Sequence, residues 1–137
     1  MAKESGLGLS VNVDDNAGTP ADISNDITDC SWTMASAEID WTGLDKSARE
    51  RGLGLADFSI TLNGHFNDAS AKSHLTLRDY RTLAASQTGR TTTIAHSGQS
   101  LPNEVLYTSY DFNRAQEGAL TWTAGGGLSD GTVPTWA

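Results

Sequence analysis

A single cysteine, Cys30, stands in the 137 residues, so the chain can hold no internal disulfide, and a scaffold of bridges cannot replace a core. Basic residues are scarce as well: Lys and Arg number 9 against 17 Asp and Glu, for a formal net charge of −8. Partners bound through phosphates need clustered Lys and Arg, and so does an anionic membrane surface, so both are disfavoured. No run approaches the ~18 apolar residues needed to span a bilayer as a helix. The opening Met1-Ala-Lys-Glu-Ser-Gly6 lacks the apolar stretch of a secretory leader. With one thiol and no leader, the expectation is an intracellular origin.

Only 19% of the residues are charged, while Gly, Ser and Thr are abundant, which suits an all-β chain better than a helical bundle. The patterning agrees. Leu7, Leu9, Val11 and Val13 alternate with other residues and predict a first strand, stopped by Asp14-Asp15-Asn16-Ala17-Gly18. Residues 20–25 read as a loop and 27–34 as a strand, with Cys30, Trp32 and Met34 on its apolar side. Cys30 is therefore expected to be a buried structural thiol rather than a nucleophile.

The richest stretch is 37–67. In the strand expected over 37–41, Ala37, Ile39 and Trp41 alternate with Glu38 and Asp40; in that over 57–66, Phe58, Ile60, Leu62, Gly64 and Phe66 alternate with Ser59, Thr61, Asn63 and His65. Such alternation gives each strand one buried face and one wet or partner-facing face. The connecting loop, 43–55, carries Asp45, Lys46, Arg49, Glu50 and Arg51, and reads either as a solvated loop or as one that reaches a partner.

Past it the period changes. Leu77, Tyr80 and Ala84 share a helical stripe, and Asp68, Ser70 and Ser73 are possible caps, so one helix is expected within 68–84. A strand over 90–96, a loop over 97–103 carrying Pro102, and a hairpin of 104–113 with 118–124 follow. Gly125-Gly-Gly127 is expected to end the fold, leaving a tail that keeps Val133 and Trp136. Floppy tails tend to be polar, so this one should pack on its own domain or on a neighbour. Residues 1–137 are read as one domain, with 125–137 as its C-terminal tail.

Catalytic and ligand motifs are sparse. His65, His74 and His96 lack metal-ligand spacing. The glycine pairs at Gly6 and Gly52 have no Walker lysine, and no Gly-x-Ser-x-Gly elbow occurs. Glu38 and Asp40 could serve as an acid–base pair only if a second wall supplied a pocket; a wet strand face explains them as well. Trp32, Trp41, Trp122 and Trp136 could form a sugar platform if exposed, but three of the four lie on apolar strand faces and are expected in the core. No metal, cofactor or enzymatic activity is expected.

The block Ile39-Asp-Trp-Thr-Gly-Leu-Asp-Lys-Ser-Ala-Arg-Glu-Arg-Gly-Leu-Gly-Leu-Ala-Asp-Phe-Ser-Ile-Thr-Leu-Asn-Gly-His-Phe-Asn-Asp68 resembles the central motif of the tail tube (major tail) proteins of long-tailed bacteriophages. That motif runs strand, Thr-Gly turn, charged loop ending Gly-Leu, then a strand of the form apolar-x-apolar-x-Gly-x-Phe. Residues 103–124 resemble that family's C-terminal hairpin, and Ser129-Asp-Gly-Thr-Val-Pro-Thr-Trp136 resembles its endings. The three segments cover over half the chain, in the family's order.

The resemblance implies a mainly β fold, a β-sandwich or half-barrel with one flanking α-helix, assembling into hexameric rings with a β-lined lumen. Stacked rings would form the tail tube of a virion, made in the host bacterial cytoplasm. DNA would transit the lumen without specific binding and without a membrane partner, and the chain would meet other tail proteins such as the tape measure, tail tip and tail terminator. On this reading Asp29, Glu38, Asp40 and Asp111 are the lumen-facing candidates. Asp45, Lys46, Arg49, Glu50 and Arg51 are the inter-subunit candidates, with Val133 and Trp136 as further contacts. The alternatives are a carbohydrate-binding or adhesion β-sandwich, which would require exposed tryptophans, and a small hydrolase using Glu38 and Asp40, which would require a pocket.

Overall fold

The alternating segments become strands of one antiparallel sheet. A computed structural model describes residue 3, residues 5–85 and residues 87–137. Of the segment read for a leader, Met1, Ala2 and Glu4 therefore lie outside the described residues. The strands are β1 (Ser10–Asp14), β2 (Pro20–Asp22), β3 (Ile27–Asp40), β4 (Arg51–His65), β5 (Arg90–His96), β6 (Gln99–Arg114) and β7 (Leu120–Leu128). Their spatial order is β2-β1-β5-β6-β7-β4-β3. A 3₁₀ turn at Ser24–Asp26 and one short helix, α1 (Ser73–Leu77), complete the regular structure among the described residues. The fold is mainly β with one flanking helix, as the pattern predicts.

One cluster of buried side chains runs from Val11 and Val13 on β1 to Phe58, Ile60 and Leu62 on β4, through Ile94, Leu101, Val105, Tyr107, Trp122 and Ala124. Strands near the two ends of the sheet thus share a core, so the sheet curls over itself. Leu77 of α1 and Ile23 from the loop before the 3₁₀ turn plug the same cluster.

Two strands, β3 and β6, are longer than expected, and β-bulges mark where they depart from the expected pattern. The segments expected as two strands, 27–34 and 37–41, are one strand, β3, with a register shift between Ser36 and Glu38. There a single residue of β3, Ala37, opposes two of β4, Gly54 and Leu55, so the extra residue and the change of parity belong to β4. β3 keeps its alternation: Cys30, Trp32 and Met34 point to the core side, and Ile39 and Trp41 to the other face. β6 repeats the device with a shift between Tyr107 and Ser109. Leu101, Val105 and Tyr107 are core residues before the bulge, and Tyr110 packs against the core after it. Leu106, expected to share a face with Tyr110 and Phe112, is therefore on the opposite face.

The expected loop over 97–103 is instead a tight turn at Ser97 and Gly98, with φ of 52° and 79°, and the beginning of β6. Two successive positive φ values fit a two-residue hairpin turn. Pro102 sits inside β6, opposite Thr93. Ser100 and Glu104 point their backbone groups away from β5, toward the tail: Ser100 exchanges two bonds with Ala137 (3.0 and 2.8 Å), and the Glu104 carbonyl accepts from Ser129 (3.1 Å). By alternation the Pro102 nitrogen points the same way, where the tail bows out around a cavity of about 270 Å³, so no ladder bond is lost.

The helix is shorter than the expected span of 68–84, and its cap is not local. Asp26, buried before β3, accepts from the Ser73 backbone N–H (3.1 Å) and from Asn67 Nδ2 (2.9 Å). Past the helix, the buried Arg90 guanidinium donates to the carbonyls of Thr76, Asp79 and Thr82. Those carbonyls are thus committed to a side chain rather than to a longer helix. Burial, opposed by the nearby charges of Asp79, Asp15 and Asp14, lowers the Arg90 pKa.

Cys30 is half-buried and packs against the core. Burial first, and the Asp29 charge second, push its thiol up to about 11. Gly125-Gly-Gly127 does not end the fold; it lies inside β7, between β4 and β6. A Cβ on Gly126 would stand 2.5 Å from the Leu106 carbonyl oxygen and 2.7 Å from Val105 Cγ1, whereas one on Gly125 would meet only ordinary contacts, the nearest at 3.5 Å. Gly126→Ala should therefore cost about 1–3 kcal/mol in urea denaturation, while Gly125→Ala should stay within about 0.5 kcal/mol. Equal midpoints for the two variants would contradict this account of the close packing.

Candidate assembly surface

Four strands, β3, β4, β7 and β6, build a wall with two unlike faces. Register pairs place Asp29, Asn63, Thr123 and Asp111 in one row across the wall. The next row holds Ser31, Thr61, Gly125 and Ser109, and the next Thr33, Ser59, Gly127 and Leu106. Rows between them point the other way, into the core: Cys30, Leu62, Ala124 and Tyr110, then Trp32, Ile60, Gly126 and Tyr107. The outward rows are short and polar, and Thr123 Oγ1 donates to Asn63 Oδ1 at 2.7 Å.

Glu38 and Asp40, opposite Leu53 and Arg51, have the even parity of Cys30, Trp32 and Met34 and so lie on the core side of the sheet, past the end of the core, whereas Ile39 and Trp41 share the outward parity of Asp29, Ser31 and Thr33. Of the four acidic residues singled out in the sequence as lumen-facing, Asp29 and Asp111 share the outward face, and Glu38 and Asp40 lie on the opposite one, because β3 alternates without interruption from Asp29 to Asp40. Their electrostatic states differ. Glu38 Oε1 lies 2.8 Å from Arg51 Nε, and Asp40 Oδ2 lies 2.7 Å from Arg49 Nη1. Among the described residues, neither Asp29 nor Asp111 has an ion-pair partner.

The charged loop is also shorter than the expected span of 43–55, because β4 begins at Arg51. With the ends of β3 and β4 it forms a projecting arm. Lys46 pairs with Glu50 at 3.4 Å, so the arm's cations are matched by the arm's own acids. Asp45 at the tip is exposed, with no ion pair among the described residues. Exposed pairs of this kind are individually weak, but here they bridge two strands that have little else to hold them.

The Thr42 hydroxyl donates to Asp40 Oδ1 at 2.6 Å and the Thr42 backbone N–H at 3.1 Å. These bonds, with Arg49 after them, hold the Asp40 carboxyl below its ordinary 3.8. Both Glu38 and Asp40 are exposed and engaged by arginines on an open ribbon, an arrangement without the enclosed pocket an acid–base pair would need. Among the described residues no three His, Cys, Asp or Glu side chains gather as a metal site would require.

Two edges of this wall are open. β3 pairs only with β4. β5 pairs with β6 only from Gln99 to Val105, so the edge of β6 from Leu106 to Arg114 has no strand on that side. β6 and β3 are separated by two antiparallel strands and therefore run in opposite directions.

The tail does fold back onto its own chain, through Ala137 on Ser100 and through Trp136 against Trp32, with ring centroids 6.5 Å apart. Val133 and Trp136 nonetheless stay exposed. Of the tryptophans expected in the core, Trp122 is buried and Trp32 packs at its margin, but Trp41 is 58% exposed. It lies on the arm, beyond the reach of the core. Leu53 and Leu55, not singled out in the sequence, are 80% and 90% exposed on the arm's other face. Their sequence signal was the apolar alternation inside what reads as a loop.

A folded-state carboxyl held below its ordinary value stabilises the arm fully above that value, and the stabilisation is lost as pH falls through the lowered one. Asp40 should thus titrate below 3.8. Thr42→Val should move it back up, as read from carboxyl chemical shifts. An unmoved titration in the variant would show that Thr42 is not the cause.

No protein-family model matches the chain, and no curated protein matches it by sequence. Solved structures do match it. A chain in the virion of a native gene transfer agent particle superimposes with a TM-score of 0.73 at 16% identity, covering 98% of this chain and 99% of that one. A chain in the tail of an empty particle of that agent, reconstructed with helical refinement and C6 symmetry, gives the same figures. A chain of the anti-feeding prophage baseplate, six-fold symmetrised, gives a TM-score of 0.62 at 18% identity, covering 100% of this chain and 97% of that one. The fold is therefore one shared with components of phage-like tails and baseplates.

Proposed function

We propose that this chain is a structural subunit of a phage-type tail, polymerising as stacked hexameric rings into the tail tube through which the genome passes into the host. The observation that carries this reading is the four-stranded wall, with a core on one face, short polar side chains on the other, and open edges at both sides. Because β6 and β3 run in opposite directions, the β3 edge of one copy can continue the sheet of the next by antiparallel pairing at its β6 edge. Repeated around a ring, that step removes every exposed edge of the wall. The shared fold with tail chains in a six-fold assembly supports the count of six.

On this reading the bare face lines the lumen. Its unpaired charges are acidic, at Asp29 and Asp111. Duplex DNA carries one negative charge per roughly 1.7 Å, and a wall without free cations would let it pass without sticking. The role is structural rather than enzymatic, and its partners would be further copies of itself and the tape measure, tip and terminator proteins of the tail. The subunit would be made in the bacterial host cytoplasm and end in the virion.

One observation favours a second reading, a carbohydrate-binding module: Trp41 presents an exposed indole, as a sugar platform would. Titration of tryptophan fluorescence with sugars separates the two.

Negative-stain electron microscopy over a range of concentrations tests the main reading, with rings or hollow tubes as the expected result. Arg49→Glu combined with Arg51→Glu sets like charges against Asp40 and Glu38. It should prevent tubes while circular dichroism of the monomer is unchanged. Normal tubes from the double variant would remove the arm's ion pairs from the assembly mechanism. A wild-type monomer that forms no tube under any condition and whose fluorescence is quenched by sugar would favour the second reading.

A further inference from the structure

The arm leaves the wall as a two-stranded ribbon, since β7 pairs with β4 only from Ser59 onward. An isolated ribbon of two strands is marginal in water. This one is fixed by its ion pairs and by an interlock of indole and glycine. A Cβ on Gly52 would stand 2.3 Å from Trp41 Cη2 and 2.6 Å from Cζ2. Gly52 has no positive φ, so its backbone does not demand glycine; the flat seat of the Trp41 ring does. Trp41 is consequently held in place while more than half of it faces solvent. A pre-positioned, exposed tryptophan is the kind of residue that dominates binding energy at interfaces.

A second apolar patch lies at the opposite end of the same strands. Phe66 follows the last residue of β4, and Phe112 stands opposite Trp122 near the end of β6. Their ring centroids are 5.9 Å apart, and His74 packs on both at 4.6 and 6.0 Å. Phe66, Phe112 and the neighbouring Leu120 are exposed. The arm begins β4 and this shelf follows its end, so the two cannot cover each other within one copy. Copies stacked head to tail cover both at once, the heterologous contact that generates an open filament. The arm's charges could be taken out of water at low cost, because Glu38 and Asp40 already carry their arginines.

We infer that Trp41, seated on Gly52, docks on the Phe66–Phe112 shelf of a second copy in the next ring. The inference rests on the tube reading and names the residues through which rings would stack. Lateral ring closure uses strand edges and not this contact, so the two can be broken separately.

The experiment compares wild type, Trp41→Ala, Gly52→Val and Phe112→Ser, with Trp41→Phe as the spectroscopic blank. Trp41 fluorescence, taken as wild type minus blank, should be quenched by acrylamide in the monomer and at least fivefold less so in tubes. Each of the other three variants should cut tube yield tenfold or more and leave single rings, with monomer melting temperature unchanged. Gly52→Val is informative because it removes no atom from the interface and only unseats the indole. If that variant fails to fold, Trp41→Ala and Phe112→Ser still decide. Wild-type tubes in which Trp41 is quenched as in the monomer overturn this contact alone, as do normal tubes from Trp41→Ala or Phe112→Ser. Loss of single rings together with tubes would place the contact within the ring and overturn it as well. Wild-type protein that forms no tubes at all overturns the tube reading and this contact with it.

Discussion

A sheet that buries one face only constrains everything else in this molecule. Its core side is filled by Trp122, Phe58, Tyr107 and the aliphatic residues around them, with α1 and the tail packed over the same side. No element among the described residues covers the other face, so that face must be tolerable in water, and its rows of Ser, Thr, Asn and Gly make it so. Nor can the fold close its edges alone, since β3 is long and the outer half of β6 has lost β5. Open edges of that length are a liability for a solitary subunit and a resource for an assembling one.

Much of this was legible because period-two alternation is a local property. The strands at 90–96, the hairpin arms and the core positions of β4 follow from it directly. Misreadings arose where one residue changed the parity. Cys30, Trp32 and Met34 are even and Ile39 and Trp41 odd; the flip looks like the end of one strand and the start of another, but β3 is continuous and its apolar residues change face, while the extra residue opposite Ala37 lies on β4. The same flip between Tyr107 and Tyr110 put Leu106 on the wrong face. The helix was overextended because its stripe is genuine while its limits are tertiary: Asp26 caps it from before β3, and Arg90 takes its trailing carbonyls from β5. Pro102 was read as a loop signal because its missing N–H is harmless only where the tail bows away, which no local rule contains.

At the candidate surface, the sequence places four acids on polar strand positions, and the register puts Asp29 and Asp111 on one face and Glu38 and Asp40 on the other. Ion pairing splits them. Arg51 and Arg49 reach Glu38 and Asp40 because the ribbon folds back on itself, whereas Asp29 and Asp111 have no ion-pair partner among the described residues. Charge counting along the chain cannot separate these two classes; cross-strand geometry can. Alternation predicts Trp41 in the core, but the register puts it on the face opposite the core, beyond the four-stranded wall.

Polymerisation of a chain with a formal charge of −8 is opposed by its own repulsion, and each added copy repeats that charge. The arrangement lessens the penalty where copies would touch and leaves it where they would not. On the arm, three cations neutralise three acids within one copy, so a neighbour approaching the arm meets little net field. On the wall, the unmatched Asp29 and Asp111 face open space, where screening by salt is effective and no desolvation is demanded. The apolar side chains follow the same division: Trp41, Leu53 and Leu55 stand on the neutralised arm, while the bare face has only Leu106 among its short polar rows. A solvated loop would have no reason to combine paired charges with seated aromatic and aliphatic residues. On the proposed reading, the arm has both because another copy buries it.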